Sequence, residues 1–293
     1  MDRAFAPAAS TSGRDAELFV DMMSQPSRAC VLFAHLCGLP IRTRVTVLGK
    51  REQRAADFPN PLRQVPCLRE GDGFVLPESG AILRYLAVRH GVPDHWYPRE
   101  PRARARVDAA VDWYHSNVRR GAAGTLWAAL VARNVGLPLD PAAARNALGI
   151  LRVALEKLER VWLVDGAGPF MSGAERPSIA DLLVSEVRPR HLVISSVPDS
   201  ATHAHSPLLS QELFQLTLLE AVDDDVGLPP SLDALLGDAS PRSREFLRAC
   251  RSLDADAWSR THHLLERAKA LMLRRKAKRA AEGASGASAR ARL

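Results

Sequence analysis

The stretch MMSQPSRAC, residues 22–30, carries the first side chains whose types and spacing point to chemistry. Ser24 and Ser27 stand at the spacing of a C-x-x-C redox pair, but a hydroxyl does not carry thiol redox chemistry. The stretch follows an apolar segment with strand character, and Pro26 suits the first position of a helix. Because a helix dipole favours an anion at the N-terminus, the Ser24 hydroxyl is placed to donate a hydrogen bond to a ligand's thiolate.

Hydrogen-bond energies set the size of this effect. A hydrogen bond to a charged group contributes about 1.5–3 kcal/mol, which corresponds to about one to two units in a thiol pKa. Ser24 would therefore bring the pKa of a bound thiol close to neutrality. The alternative is that Ser24 only caps the helix.

Two further segments offer groups to a ligand. In NPLRQVPCL, residues 60–68, the Val65–Pro66 bond is either a cis peptide, which turns the backbone groups of Val65 toward an extended peptide ligand, or a trans proline at a strand start. In LPESGAILRYL, Ser79 either receives a carboxylate beside a Glu78 that takes an ammonium group, or is a simple N-cap. Together with Ser24, these segments fit a short peptide with a central thiol and an amino-acid head group.

The elements that must position these residues follow the order β-α-β-α-β-β-α. Alternating apolar residues and turn signals predict strands at 16–20, 43–47, 67–69 and 74–76, and helices at 26–36, 50–57 and 79–90, with Ser79 as the cap of the last. Apolar residues spaced three to four apart then predict an all-helical region, with helices at 102–133, 141–163, 241–253 and 256–272. Ser178 and Asp181 are spaced as a capping box at the start of another helix.

These elements divide the chain into five segments. We expect a flexible N-terminus at 1–15, an α/β domain at 16–92, a linker at 93–101, a helical domain at 102–273 and a disordered basic tail at 274–293. One stretch, residues 187–211, interrupts a helix that would otherwise be continuous. It is either a retained in-frame intron or a surface loop, and its first and last residues, Val and Gln, are compatible with intron borders.

Composition and charge exclude several classes of partner. The net charge is +7, but residues 274–293 hold seven basic residues and one acidic residue, so the rest is nearly neutral. This pattern favours a solvated tail over a nucleic-acid-binding arm. No apolar run reaches the roughly 18 residues that span a membrane, so we expect a soluble protein. The four cysteines lack zinc spacing, so no metal site is predicted.

The motifs resemble those of the glutathione transferases, most closely of the theta class. The similarity is carried by MSQPSRA, NPLRQVPCL, ESGAILRYL, WYP, ARARVD and SIAD, in this order, over residues 16–186 and more faintly over 212–272. It implies a thioredoxin-like N-terminal domain, an all-α C-terminal domain and a homodimer. It also implies glutathione as co-substrate, with no prosthetic group.

The resemblance assigns roles residue by residue. Ser24 stabilises the glutathione thiolate and Arg28 steadies the serine or the ligand. Val65 and Pro66 bind the backbone of the cysteinyl residue of glutathione. The remaining expected glutathione contacts are Glu78 and Ser79 for the γ-glutamyl group, with Gln53, Gln64 and Asp108, and the electrophile pocket is expected to include Trp113, Arg119 and Trp127.

One position departs from the family pattern. Gln53 stands where the family has a histidine near the glycyl carboxylate, so contacts at that end of the ligand would depend on the cationic side chains of Lys50, Arg51 or Arg54.

The resemblance implies an enzyme that conjugates glutathione to electrophiles, reduces organic hydroperoxides with it, or does both. A glutaredoxin-like disulfide reductase is disfavoured because Ser24 and Ser27 supply no thiol. A non-catalytic binding or dimerisation protein, or a variant inactivated by the 187–211 insertion, remains the alternative. Ala291, Arg292 and Leu293 form a conservative variant of a peroxisomal address, so we expect the peroxisome or the cytoplasm.

Overall fold

The structure is a computed structural model of the 293-residue chain. It describes residues 16–132, 137–163, 168–171, 174–184, 219, 222, 226–237, 241–252, 267, 269–279 and 281–282. The predicted flexible N-terminus, the 187–211 insertion and the tripeptide at 291–293 lie outside these residues.

A four-stranded sheet forms the first domain. Its strands are β1 (Glu17–Val20), β2 (Arg42–Val45), β3 (Cys67–Arg69) and β4 (Val75–Pro77), in the spatial order β2-β1-β3-β4. β1 runs parallel to β2 and antiparallel to β3, and β3 runs antiparallel to β4. Together with the helix that joins β1 to β2 and the helix that follows β4, this sheet confirms the predicted thioredoxin-like fold.

Two helices complete this domain. They are α1 (Gln25–Leu36) and α2 (Ser79–His90). The predicted helix at 50–57 is wrong, because two short 3₁₀ turns, Leu48–Lys50 and Glu52–Arg54, take its place. Arg51 between them is left-handed (φ 59°), which breaks any continuous helix.

The second domain is helical, as predicted. Its helices are α3 (Pro101–Tyr114), α4 (Arg120–Leu126), α5 (Pro141–Lys157), α6 (Ile179–Val184), α7 (Leu232–Leu236) and α8 (Pro241–Ser252), with a further helical stretch at 269–279. The continuous helix predicted at 102–133 is wrong in detail, because π-helical turns interrupt the helical path at His115–Arg119 and Trp127–Val131. A third π-helical turn, Leu158–Trp162, follows α5.

The predicted start of the disordered tail at residue 274 is wrong. Residues 269–279 are helical, so the helical structure extends past that residue. Most of the helix predicted at 256–272 lies outside the described residues. Within the described part of the chain, no helix is both long and apolar enough to cross a membrane.

The predicted capping box orients α6 against the first domain. The Ser178 backbone NH and hydroxyl donate to the buried Asp181 carboxylate at 2.7 and 2.8 Å. The linker meets this helix start, since the Ile179 NH donates to the Trp96 carbonyl at 3.0 Å. Trp96 also packs edge-on against Phe33 of α1. One continuous apolar core therefore joins the two domains.

Helices α4 and α5 cross at a glycine. A Cβ built on buried Gly121 would lie 2.6 Å from the backbone N and Cα of Leu151 in α5. Gly149, an exposed glycine within α5, has no described atom within 4 Å of its Cβ position. The chain thus offers a matched pair of helical glycines, one at a contact and one in open space.

We predict opposite effects for alanine at these two glycines. Gly121→Ala should lower the free energy of unfolding by about 1–3 kcal/mol, because the helices must separate. Gly149→Ala should leave it unchanged or raise it by up to about 1 kcal/mol, because alanine is the better helix former. Urea unfolding of both variants measures the difference. Equal stabilities for the two variants would contradict the close crossing of α4 and α5.

Glu17 joins three strands of the sheet. Its carboxylate accepts hydrogen bonds from Arg69 on β3 at 2.5 Å and from Arg44 on β2 at 2.7 Å, and Arg42 lies at 3.6 Å. The side chain of Glu17 is only 10% exposed. The hydrogen bond from Arg69, together with that from Arg44, holds the pKa of Glu17 below its ordinary value.

We predict a pH-dependent cost for Glu17→Gln. A carboxyl group whose pKa is lower in the folded than in the unfolded protein stabilises the folded state at pH values above its ordinary pKa, near 4.5. This stabilisation is lost as the pH falls through the folded-state pKa. The free energy of unfolding of the variant should be roughly 1–2 kcal/mol lower than that of the unaltered protein at pH 7. This difference should shrink toward zero in acid.

Urea unfolding across this pH range measures the effect. Glu156→Gln is the control, because Glu156 pairs with Arg160 on an exposed helix face and should change stability by less than about 0.5 kcal/mol. A loss for Glu17→Gln that stays constant with pH would show that its charge is not the cause.

Candidate functional site

The turn between β1 and α1 is built by a residue that the sequence analysis missed. The Asp21 carboxylate accepts from the backbone NH of Met23 at 2.8 Å and of Leu48 at 2.9 Å, and the Asp21 carbonyl accepts from the Ser24 NH at 2.8 Å. Burial raises the pKa of Asp21, against the effect of these hydrogen bonds. The signal for this role is an aspartate directly after an apolar strand, which commonly forms such side-chain turns.

Ser24 lies at the N-cap position of α1 with an extended backbone and is 6% exposed. The alternative that Ser24 only caps the helix is wrong, since its side chain makes no capping hydrogen bond to the described first turn. The hydroxyl therefore lies at the positive end of the helix dipole without serving the helix itself.

Arg28 supports the turn that presents Ser24. It is fully buried, one helical turn after Ser24, and its Nη1 donates to the Met22 carbonyl at 2.5 Å. A guanidinium held this way binds the backbone on the strand side of the turn to the first turn of the helix.

The three cysteine thiols of the first domain are poor candidates for chemistry. Burial raises the pKa of Cys30 well above its usual range, that of Cys37 to about 12 and that of Cys67 to about 11. Ser27 is fully buried, and its hydroxyl has no hydrogen-bond partner among the described residues. A thiolate at this junction would therefore have to come from a ligand.

The Val65–Pro66 peptide bond is cis, as the first of the two sequence readings has it. Buried Asn60 shapes the loop before it, donating from Nδ2 to the Gln64 carbonyl at 2.7 Å and accepting from the Leu62 NH at 2.9 Å. The sequence analysis did not single out Asn60, although Asn-Pro is a turn signal.

The N-cap of α2 is Glu78, and not Ser79 as predicted. Ser79 is not the cap: it is the first helical residue and is buried, whereas Glu78 takes the N-cap position. Glu78 is exposed and left-handed (φ 69°), and makes no capping hydrogen bond with its side chain. The Cys30 Sγ lies 3.8 Å from the Ser79 carbonyl, so the first turn of α2 packs against α1.

Non-glycine residues with positive φ in the described chain are confined to this domain. They are Arg51, Arg63 and Glu78. Such conformations are costly, and they cluster in functional regions. Here Arg51 directly precedes the turn that holds Gln53, and Arg63 directly precedes Gln64.

The remaining predicted glutathione contacts have different surroundings. Gln53 is half-buried, and its Oε1 has no hydrogen-bond partner within the described chain. Gln64 is exposed. Asp108 is engaged within the protein, accepting from Arg84 Nε at 2.6 Å and from the Tyr97 hydroxyl at 3.1 Å. Its placement thus ties α2 to α3.

The three predicted pocket residues are also placed differently from one another. Arg119, on the π-helical turn after α3, reaches Gln25 at the start of α1, with 3.4 Å between Nη1 and Oε1. Trp113 packs against Trp162 with ring centroids 5.2 Å apart. Trp127 is 38% exposed. The contacts bring Arg119 to the residue beside Ser24.

Among the described residues, no group of three or more His, Cys, Asp or Glu side chains is arranged to hold a metal ion.

Comparisons with known proteins identify the family of this chain. The family model for the glutathione S-transferase N-terminal domain matches residues 24–89. Glutathione S-transferase T1 of Arabidopsis thaliana is 42% identical over 175 residues, which cover 58% of this chain and 71% of that protein. Human glutathione S-transferase theta-1 is 39% identical over 173 residues, covering 57% and 72%.

Solved structures show the same likeness. Human glutathione S-transferase T1-1 in its apo form superposes with a TM-score of 0.65 at 28% identity, covering 89% of this chain and 90% of that one. Human glutathione transferase theta-2, complexed with glutathione and an unknown ligand, gives 0.67 at 29% identity, covering 90% and 91%. By sequence and by fold, this chain belongs to the theta class of the glutathione S-transferases.

Proposed function

We propose that this chain conjugates glutathione to electrophiles and reduces organic hydroperoxides with it, using Ser24 to stabilise the glutathione thiolate. The observation that carries the proposal is the buried Ser24 hydroxyl, at the N-terminus of α1 but not used to cap it. A homodimer belongs to the same proposal. It follows from the resemblance of the sequence to the theta class.

The thiolate is stabilised by two effects that act at one place. The α1 dipole favours a negative charge at its N-terminus, and the Ser24 hydroxyl donates a hydrogen bond to the sulfur. Asp21 and Arg28 hold the turn in the conformation that presents this hydroxyl. The pKa of the glutathione thiol falls as a result, so that more of the bound ligand is the nucleophilic thiolate at neutral pH.

The rest of the tripeptide is bound along the same edge of the domain. The cis Val65–Pro66 segment offers backbone groups to the cysteinyl residue, as an added strand would. Ser79, at the start of α2, receives the γ-glutamyl carboxylate through its hydroxyl and NH. The exposed Glu78 carboxylate takes the ammonium group.

The glycyl end relies on charge. Gln53 provides an amide in place of the imidazole expected from the family, and Lys50, Arg51 and Arg54 are exposed around it. Exposed cations attract a carboxylate weakly and are screened by salt. Binding of glutathione by this chain therefore depends on ionic strength mainly through this end.

Two reactions share the stabilised thiolate. In conjugation, the sulfur attacks an electrophilic carbon and the leaving group departs. In hydroperoxide reduction, it attacks the terminal peroxide oxygen and releases an alcohol, and a second glutathione converts the sulfenic acid to oxidised glutathione and water. Both depend on positioning and charge stabilisation.

We predict that Ser24→Ala lowers kcat/KM for conjugation by roughly ten- to a hundredfold at neutral pH, because one charge-assisted hydrogen bond is lost. Hydroperoxide reduction should fall by a similar factor, because both reactions use the same thiolate. Steady-state turnover with a model aryl halide and with cumene hydroperoxide measures the two activities.

Ser27→Ala is the matched control. Ser27 lies in the same turn of α1 and is fully buried, with no hydrogen-bond partner for its hydroxyl among the described residues. Its removal should leave both activities within about twofold. Equal losses in the two variants, or none in Ser24→Ala, would overturn the role of Ser24.

A further inference from the structure

Gln25 connects three elements at the active site. It follows Ser24 directly and is 1% exposed. Its Oε1 accepts from the Tyr114 hydroxyl at 2.6 Å and lies 3.4 Å from Arg119 Nη1, while its Nε2 donates to the Leu183 carbonyl at 2.7 Å. One amide thus joins the start of α1 to the end of α3, the following π-helical turn and α6.

The π-helical turn at His115–Arg119 makes this arrangement possible. Tyr114 and Arg119 are five residues apart, and in a regular α-helix such residues point about 140° away from each other. In a π-helix the backbone bonds run from residue i to i+5, which brings residues five apart onto one side. Both side chains can therefore reach the same oxygen of Gln25.

We propose that Gln25 is a positioning residue, which holds the Arg119 guanidinium beside the Ser24 turn where the thiolate meets its electrophile. This inference rests on the proposed function. The guanidinium is a fixed positive charge, and its place relative to the sulfur decides how well it stabilises the negative charge on a reacting group. Gln25 acts through Arg119 and does not itself contact substrate.

An amide suits this position better than its alternatives. Tyr114 and Arg119 need an acceptor and the Leu183 carbonyl needs a donor, and glutamine supplies both at one buried place. Glutamate would lose the donor and add a negative charge next to the thiolate. Methionine has a similar length and volume but makes none of these hydrogen bonds, so Gln25→Met removes the connection with little change in packing.

The first test separates binding from turnover. Gln25→Met should lower kcat for conjugation by about ten- to a hundredfold. The KM for glutathione should stay within about twofold, since Ser24, Glu78 and Ser79 are untouched. When Arg119 is already replaced by alanine, Gln25→Met should lower kcat little further, because the side chain that Gln25 positions is absent. Independent, multiplying losses in kcat would overturn the inference.

Thr125→Val is the matched control for a merely structural effect. Thr125 is fully buried in α4, and its Oγ1 donates to the Gly121 carbonyl at 2.7 Å, which is not a hydrogen-bond partner of Gln25. This variant also loses a buried hydrogen bond, but its kcat and KM should stay within about twofold. If its activity fell in parallel with that of Gln25→Met at a similar change in Tm, the role of Gln25 would be structural only.

A second test needs no glutathione. Gln25→Met and Tyr114→Phe remove the same hydrogen bond from opposite sides, so their effects on the urea midpoint should be clearly less than additive in the double variant. Additive midpoints would overturn the connection. If Gln25→Met does not fold, Tyr114→Phe replaces it in the kinetic test and should show the same split, with kcat lowered and KM for glutathione retained.

The two proposals fail in different ways. Absence of glutathione turnover in the unaltered chain contradicts the proposed function, and the urea cycle alone then decides on the connection between Gln25 and Tyr114. Normal turnover with additive kcat losses contradicts only the role of Gln25.

Discussion

The structure depends on a buried guanidinium at the start of α1. Arg28 is fully excluded from solvent, and its Nη1 donates to the Met22 carbonyl in the turn after β1. A charge placed in the interior is costly unless its hydrogen bonds are kept, so the turn cannot rearrange without exposing that cost. Ser24 lies in this turn and Gln25 follows it directly. The conformation of the turn therefore sets the positions of both residues.

The same turn is the point at which both domains meet the proposed site. On one side, the cis Val65–Pro66 segment and the first turn of α2 belong to the sheet domain. On the other side, Arg119 comes from the helical domain and meets α1 through Gln25. Because a continuous apolar core runs through both domains, their relative position is set by packing and not by the linker alone.

The sequence predicted those features that local chemistry decides. Turn residues and apolar alternation located all four strands to within about two residues, and Pro26 located the start of α1. The bounds predicted for α2 are confirmed, although Ser79 is its first residue and not its cap. The motif that carries Ser24 pointed to ligand thiolate chemistry, because serines in place of cysteines leave the thiol to the ligand. The capping box at Ser178 and Asp181 was equally local.

Other features depend on contacts far apart in the chain, and the sequence could not predict them. The π-helical turn at His115–Arg119 has no residue signature, and without it Arg119 points elsewhere on the helix. In the sequence, Gln25 is an ordinary residue at a helix start, because its hydrogen bonds with Tyr114 and Leu183 form only when the two domains pack together. The predicted helix at 50–57 failed because the left-handed Arg51 divides it into two turns.

The central claim is that the Ser24 hydroxyl stabilises the thiolate of bound glutathione. Titration of the thiolate ultraviolet absorbance of the glutathione complex tests it most directly. The pKa of the bound thiol should lie about one to two units below that of free glutathione and should return toward it in Ser24→Ala. An equally lowered pKa in both proteins would contradict the account and assign the stabilisation to the helix N-terminus alone.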